Sequence, residues 1–133
     1  MSNTQAYQKY KSNSVNTASP GELTLMLYNG CIKFIKQAKI AMEKQDIQGR
    51  NTNLLKAQDI INELMVTLDT KQEVAQNMLQ MYDYIYRRLV EANTKNSLEI
   101  LEEAEGYVTE FRDTWKQIIL ELRKQEFKKT GQA

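Results

Sequence analysis

The stretch "TASPGELTLMLYNG", Thr17 to Gly30, sets the register from which the rest of the chain is read. Ser19 is spaced to N-cap a helix. Pro20 falls at the first helical position, where a missing N–H costs nothing, and Glu22 at the third, completing a capping box. Ala18 and Leu23 flank the box at the positions of a hydrophobic staple. From there Leu23, Met26, Leu27, Gly30, Cys31, Phe34, Ala38, Ala41 and Met42 recur every three or four residues. They form one wide apolar stripe of an amphipathic helix ending near Lys44.

The same period continues to the far end of the chain, where long stretches carry no breaker. Pro20 is the only proline, and the five glycines all lie at or after position 21. Asp46 is placed to cap a second helix with the seam Ile47, Leu54, Ala57, Ile61, Leu64 and Leu68. "DTKQE" follows, in which Asp69 with Gln72, or Thr70 with Glu73, makes the next capping box. The third helix has a heptad seam of Ala75, Met78, Tyr82, Ile85, Leu89 and Ala92. Asn96 and Glu99 repeat the cap signature. A fourth helix then carries Leu98, Leu101, Ala104, Val108, Phe111, Trp115, Ile118 and Leu122. Helices joined by connections of a few residues run antiparallel to their neighbours, so the expected fold is all-α, an up-down four-helix bundle over residues 19–122. Residues 1–18 are expected to be a flexible N-terminal arm, and the basic "RKQEFKKTGQA" at 123–133 to fray.

Composition restricts the chemistry. The chain has 133 residues, 41% of them hydrophobic and 26% charged, and a net charge of +1. That suits one globular domain and supplies no field toward nucleic acid. No run approaches the roughly 18 apolar residues of a membrane span, and the first residues lack the apolar core of a secretory signal, so a cytoplasmic location is expected. There is no histidine and one cysteine. This excludes a phosphohistidine relay, an imidazole base and a Glu-x-x-His di-iron site, and no phosphate-binding glycine motif occurs. Cys31 falls on the core stripe and reads as an inert buried thiol. Trp115 reads as core, and Glu102, Glu103 and Glu105 as solvated charges near a helix start. No enzyme, cofactor or metal site is expected.

Some apolar residues exceed the needs of a core. Leu25, Tyr28 and Ile32 cluster roughly 140° from a stripe centred on Phe34, which would leave them facing solvent as a patch for a partner. In the arm, Tyr7, Tyr10 and Val15 stand among polar residues as a segment able to dock loosely. In "MYDYIYRRL" Tyr84 lies roughly 130° from its seam and is a further interface candidate.

These stretches together resemble a known family. "TASPGELTLMLYNGCIKFI", "NLLKAQDIINELMVTLD", "MYDYIYRRLVEAN" and "EFRDTW" are similar, in collinear order from Tyr7 to about Lys116, to the flagellar secretion chaperone family, the flagellin export chaperones. The resemblance implies an antiparallel four-helix bundle without catalysis or cofactor. It implies a cytosolic protein that binds the disordered C-terminal segment of flagellin, prevents premature polymerisation and keeps flagellin competent for type III export. It further implies that an N-terminal arm, here with Tyr7 and Tyr10, overlies the groove and is displaced. Leu25, Tyr28 and Ile32 are the groove positions carried over, with Ile60, Met65 and Tyr84 added from helical phase. Flagellar export apparatus components and other flagellar regulators are further candidate partners. The alternative is a non-secretory adaptor bundle whose apolar back face meets a folded domain.

Overall fold

The computed structural model describes residues 20–69 and 73–131. Four α-helices account for them: α1 Pro20–Glu43, α2 Ile47–Val66, α3 Glu73–Lys95 and α4 Leu98–Gly131. α1 and α3 each pack against α2 and α4, while the diagonal pairs meet only through side chains across the core. The fold is the all-α four-helix bundle that the seams imply. Ile35, Leu54, Ile61, Leu64, Ile85, Leu89, Leu101 and Val108 are buried at its centre. Ala38, Ala57, Ala92 and Ala104 are buried with them and let the helices approach closely.

Two of the connections are built alike. At the end of α1, Asp46 N–H donates to the Ala41 carbonyl at 2.8 Å and Gln45 N–H to the Met42 carbonyl at 3.1 Å. Gln45 takes a left-handed conformation, φ 57°. This is a Schellman stop, and its last residue immediately becomes the next cap. The Asp46 carboxylate accepts from Gly49 N–H at 2.9 Å and starts α2. At the end of α3, Asn96 is left-handed (φ 51°) and Ser97 N–H donates to the Ala92 carbonyl at 3.0 Å. Ser97 Oγ then accepts from Ile100 N–H at 3.2 Å. The cap that spacing places at Asn96 is therefore Ser97, because Asn96 is already used to turn the chain. The arm at 1–18, Ser19 and the caps read across Thr70 to Gln72 lie outside the described residues.

α4 departs most from the sequence reading. It runs as a helix to Gly131, past the Leu122 at which the seam closes and through most of the segment expected to fray. Its 34 residues reach about 51 Å at 1.5 Å per residue, against about 36 Å for the 24 residues of α1. Beyond Trp115 only Ile119 is even partly buried among the described side chains, so the seam residues Ile118 and Leu122 remain exposed. Ile47 and Leu98, at helix starts, are exposed as well. In each case the apolar period outlasts the neighbouring helices that would cover it.

Charged side chains seal two faces of the bundle. Lys39 Nζ donates to Glu105 Oε1 at 2.9 Å between α1 and α4. Arg50 Nε donates to Asn93 Oδ1 at 3.0 Å, and Asn93 Nδ2 to Asn51 Oδ1 at 2.8 Å, between α2 and α3.

The first connection supports an expected outcome of opposite signs. Gln45→Gly removes a left-handed conformation worth roughly 1–2 kcal/mol of strain at a side-chain-bearing residue, partly offset by glycine's chain entropy. Stability should rise by about 0.5–1 kcal/mol. Gly49→Ala should lower it by about 1 kcal/mol, since a Cβ there would stand 2.3 Å from the capping Asp46 Oδ2. Urea denaturation of the two variants checks both; a Gln45→Gly protein no more stable than its parent would show the turn to be unstrained.

Candidate functional site

α1 and α3 begin, and α2 ends, at the same end of the bundle, and there α4 passes on alone. Between them lies an open apolar cavity of about 670 Å³. α1 contributes Leu23, Thr24 and Tyr28; α2 and the turn after it contribute Leu64, Thr67, Leu68 and Asp69. α3 adds Val74, Ala75, Met78 and Tyr82, and α4 adds Phe111, Thr114, Trp115 and Ile118. These residues belong mainly to the core seams. They line a cavity because the seams reach this level while, among the described residues, no side chain fills the centre between them.

The floor is aromatic. Tyr28 is 2% exposed and Tyr82 3%, and their rings meet Phe111 with centroids 6.5 Å and 6.0 Å away, the Tyr82–Phe111 pair edge to face. The two tyrosine hydroxyls, one from each of the diagonal helices α1 and α3, hydrogen-bond to each other. Burial pushes both phenols above the ordinary tyrosine range; at Tyr28 the bond to Tyr82 opposes the rise, and at Tyr82 the nearby Tyr28 adds to it. Cys31, on the same face of α1, has its thiol pushed up to about 12 by burial. Higher on the wall, Trp115 Nε1 donates to the Gly21 carbonyl at 2.8 Å, which ties the start of α1 to α4. At the rim, Val74 is 70% and Ile118 42% exposed. Among the described residues Asp69 is the only charged one on the lining, which is otherwise mainly apolar.

Of the residues chosen from sequence, this cavity takes up Tyr28 alone. Ile32 is 5% exposed and Ile60 wholly buried, so both are core and neither faces solvent. Tyr28 too is buried rather than on the back of its helix. The phase estimate went astray because a corner helix of a four-helix square touches two neighbours as well as the central axis. The buried arc of α1 runs from Gly30 through Cys31 to Ile32, spanning roughly 200° and centred near Cys31 instead of Phe34. Leu25 is half-buried beside that arc, and Met65 packs against the core from α2. Tyr7 and Tyr10 lie outside the described residues.

Tyr84 is on a different face, between α3 and α4. Its hydroxyl donates to Glu103 Oε1 at 3.0 Å, its ring meets Tyr107 edge to face, and Arg88 lies over it. Arg88 also donates to Glu103 at 2.8 Å and to Glu91 at 2.6 Å. The Arg88 bond chiefly holds the Glu103 carboxyl below the usual carboxylate range, and the bond to Glu103 raises the Tyr84 phenol. This exposed network satisfies itself. Leu68, Met78, Phe111, Trp115 and Ile118 are the site residues that sequence reading left in the seams, and Val74 is one it did not single out. The available signal was topological: in an up-down order, the starts of helices 1 and 3 share an end with the close of helices 2 and 4.

The chain matches the family model described as Flagellar protein FliS over residues 3–122. It is 59% identical over 118 residues to the flagellar secretion chaperone FliS of Bacillus subtilis (strain 168), covering 89% of each chain. It is 37% identical over 121 residues to the flagellar secretion chaperone FliS of Escherichia coli (strain K12), covering 88% of this chain and 89% of the relative. The protein of the same description from Salmonella typhimurium is 37% identical over 108 residues, 79% of this chain and 80% of the relative.

The aromatic floor has a consequence for pH. In the unfolded chain the Cys31 thiol and the two phenols ionise near about 8.5 and 10; in the folded chain they keep their protons longer. Their stabilising contribution is complete below those ordinary values and declines as pH rises through them. The urea midpoint should therefore fall between pH 8 and 11, and fall less in a protein carrying both Tyr28→Phe and Tyr82→Phe. Equal losses in the two proteins would show that the phenols are not held neutral by the fold.

Proposed function

We infer, because this chain belongs to the FliS family of flagellar proteins, that it is a flagellar export chaperone whose client is flagellin. It holds the disordered C-terminal segment of flagellin in the cytoplasm, which keeps the subunit from polymerising early and competent for type III export. The work is binding and release, so the reading includes no catalytic residue and no cofactor. No helix among the described residues is long and apolar enough to cross a membrane.

The observation that carries the reading is the open apolar cavity with its exposed rim. An amphipathic segment that folds on binding needs a groove for its apolar side chains and recovers its ordering entropy by burying them. A cavity of about 670 Å³ accommodates several large side chains. Ile118 and Leu122, one turn apart and both exposed on α4, extend its wall outward along the overhanging helix.

Tyr28 stays in the proposed site as part of its floor. Ile32 and Ile60 leave it, being core, while Leu25, Met65 and Tyr84 lie off the cavity and are at most outer contacts of a segment that wraps the bundle. The arm fits the same picture: α1 starts at Pro20, three residues before Leu23 on the cavity wall. On this reading Tyr7 and Tyr10 compete there with the client.

A purified C-terminal flagellin segment titrated into the protein tests this, read by calorimetry and by Trp115, the only tryptophan. The combined Val74→Asp and Ile118→Glu changes place charges on the exposed rim, where the fold tolerates them. Affinity should drop at least tenfold, about 1.4 kcal/mol or more, with the melting temperature within a few degrees of the parent. Unchanged affinity would move the client off this cavity, and capture of a folded partner in place of flagellin would favour an adaptor.

A further inference from the structure

The floor of the cavity holds more hydrogen-bonding capacity than the protein uses. Each phenol carries one O–H donor and two acceptor positions. Tyr28 and Tyr82 are bonded to each other, and among the described residues neither hydroxyl has a second partner. Only one of the two protons can lie between the oxygens. The other belongs to the accepting hydroxyl, at residues that are 2% and 3% exposed and that both line the cavity. Burial keeps both groups protonated, so the second proton is a permanent donor. Phe111, Leu64, Ala75 and Met78 share the lining with it; the first three offer no side-chain acceptor and the Met78 thioether only a weak one, while Thr24, Thr67, Asp69 and Thr114 supply the polar part of the lining.

Resting on the chaperone reading above, we propose that the Tyr28–Tyr82 pair is a polar specificity subsite of the cavity, donating its spare O–H to a free main-chain carbonyl of the client. A client that fills the cavity excludes solvent from that proton and must then accept it, or leave a buried donor bare. Apolar side chains supply no acceptor. The interior of a helix supplies none either, since its carbonyls are spent on the turn above. The last turn of a helix does leave carbonyls free, and so does an extended strand. The pair therefore favours a client that brings a helix C-terminus or a non-helical residue to the cavity floor, and it disfavours one that offers grease alone. It sets the register in which an otherwise non-directional apolar contact is made.

Phenylalanine variants separate this role from a structural one. Tyr28→Phe or Tyr82→Phe alone breaks the pair and strands one hydroxyl, which lowers stability, yet that hydroxyl is free to serve the client. Each single variant should bind the flagellin C-terminal segment within about threefold of the parent. Replacing both removes the donor and its partner together, keeps the ring walls and leaves no stranded group, so the protein should melt near or above the more stable single variant. Its affinity for the same segment should fall about 3- to 10-fold, the fold-change expected of one net hydrogen bond. Parent-like or tighter binding by the doubly substituted protein overturns the proposal while leaving the chaperone reading in place. Failure of the parent to bind flagellin overturns both. Losses that track stability, with the single variants worst, would make the pair a structural bond alone and also overturn it.

Discussion

Four helices of unequal length share one core here, and the level at which their apolar seams stop facing one another governs what the protein can do. As far as Tyr28, Tyr82 and Phe111 the square is closed, and the buried aliphatic and alanine side chains of all four helices pack into one cluster with these rings. Beyond that ring the seams go on while the packing does not. α1 and α3 start, α2 stops, and α4 alone continues as an exposed helix. An apolar cavity at such a junction follows from helix lengths and needs no special residue to create it. The tyrosine hydroxyls bridge the diagonal at this boundary, a way for two large side chains to end a core without leaving both polar tips unpartnered.

Apart from Asp69 on its lining, the charges described here pair on the flanks of this opening. Lys39 with Glu105, and the set of Tyr84, Arg88, Glu91 and Glu103, pair across or along helices on the flanks. Among the described residues Glu105 Oε2 is buried without a hydrogen bond, with Lys36 Nζ 3.9 Å away, so even this sealed face is imperfectly satisfied. The cavity end relies on a different tie. The Trp115–Gly21 bond and the Arg123–Glu22 ion pair hold the first turn of α1 against α4. Both are local and lie at the mouth, so the start of α1 is anchored to the helix that also forms the outer wall. Motion of one would be felt by the other.

The architecture was legible from the seams because burial follows period and period survives in a single sequence. Ala75, Met78, Tyr82, Ile85, Leu89 and Ala92 lie on one side of α3 whatever the neighbours do. Helix phase on α1 was less legible. An arc centred on Phe34 makes Tyr28 and Ile32 surface residues, whereas contact with both α2 and α4 turns the arc toward Cys31 and buries them. Ser97 was masked by Asn96, which looks like a cap and serves as the left-handed turn before one. The cavity was hidden for a deeper reason. Leu68, Val74 and Trp115 carry the same chemistry as the core, and what separates a core position from a site position is whether another helix is still present at that height. That depends on where four helices end relative to one another, which no periodicity records.

An end cavity also suits the physical task of a chaperone that must let go. A client buried along a full bundle face would gain affinity in proportion to a long contact and leave slowly. A client anchored by a few side chains at one end, with the rest of its contact spread over exposed residues such as Ile118 and Leu122, can be peeled from the weaker part first. Apolar contact alone does not determine register, because one aliphatic side chain replaces another at little cost. A buried O–H that requires an acceptor changes this, since a misplaced client leaves a desolvated donor unmet. Affinity then comes from the walls and alignment from the floor. The two can be tuned apart, which is what firm but reversible binding demands.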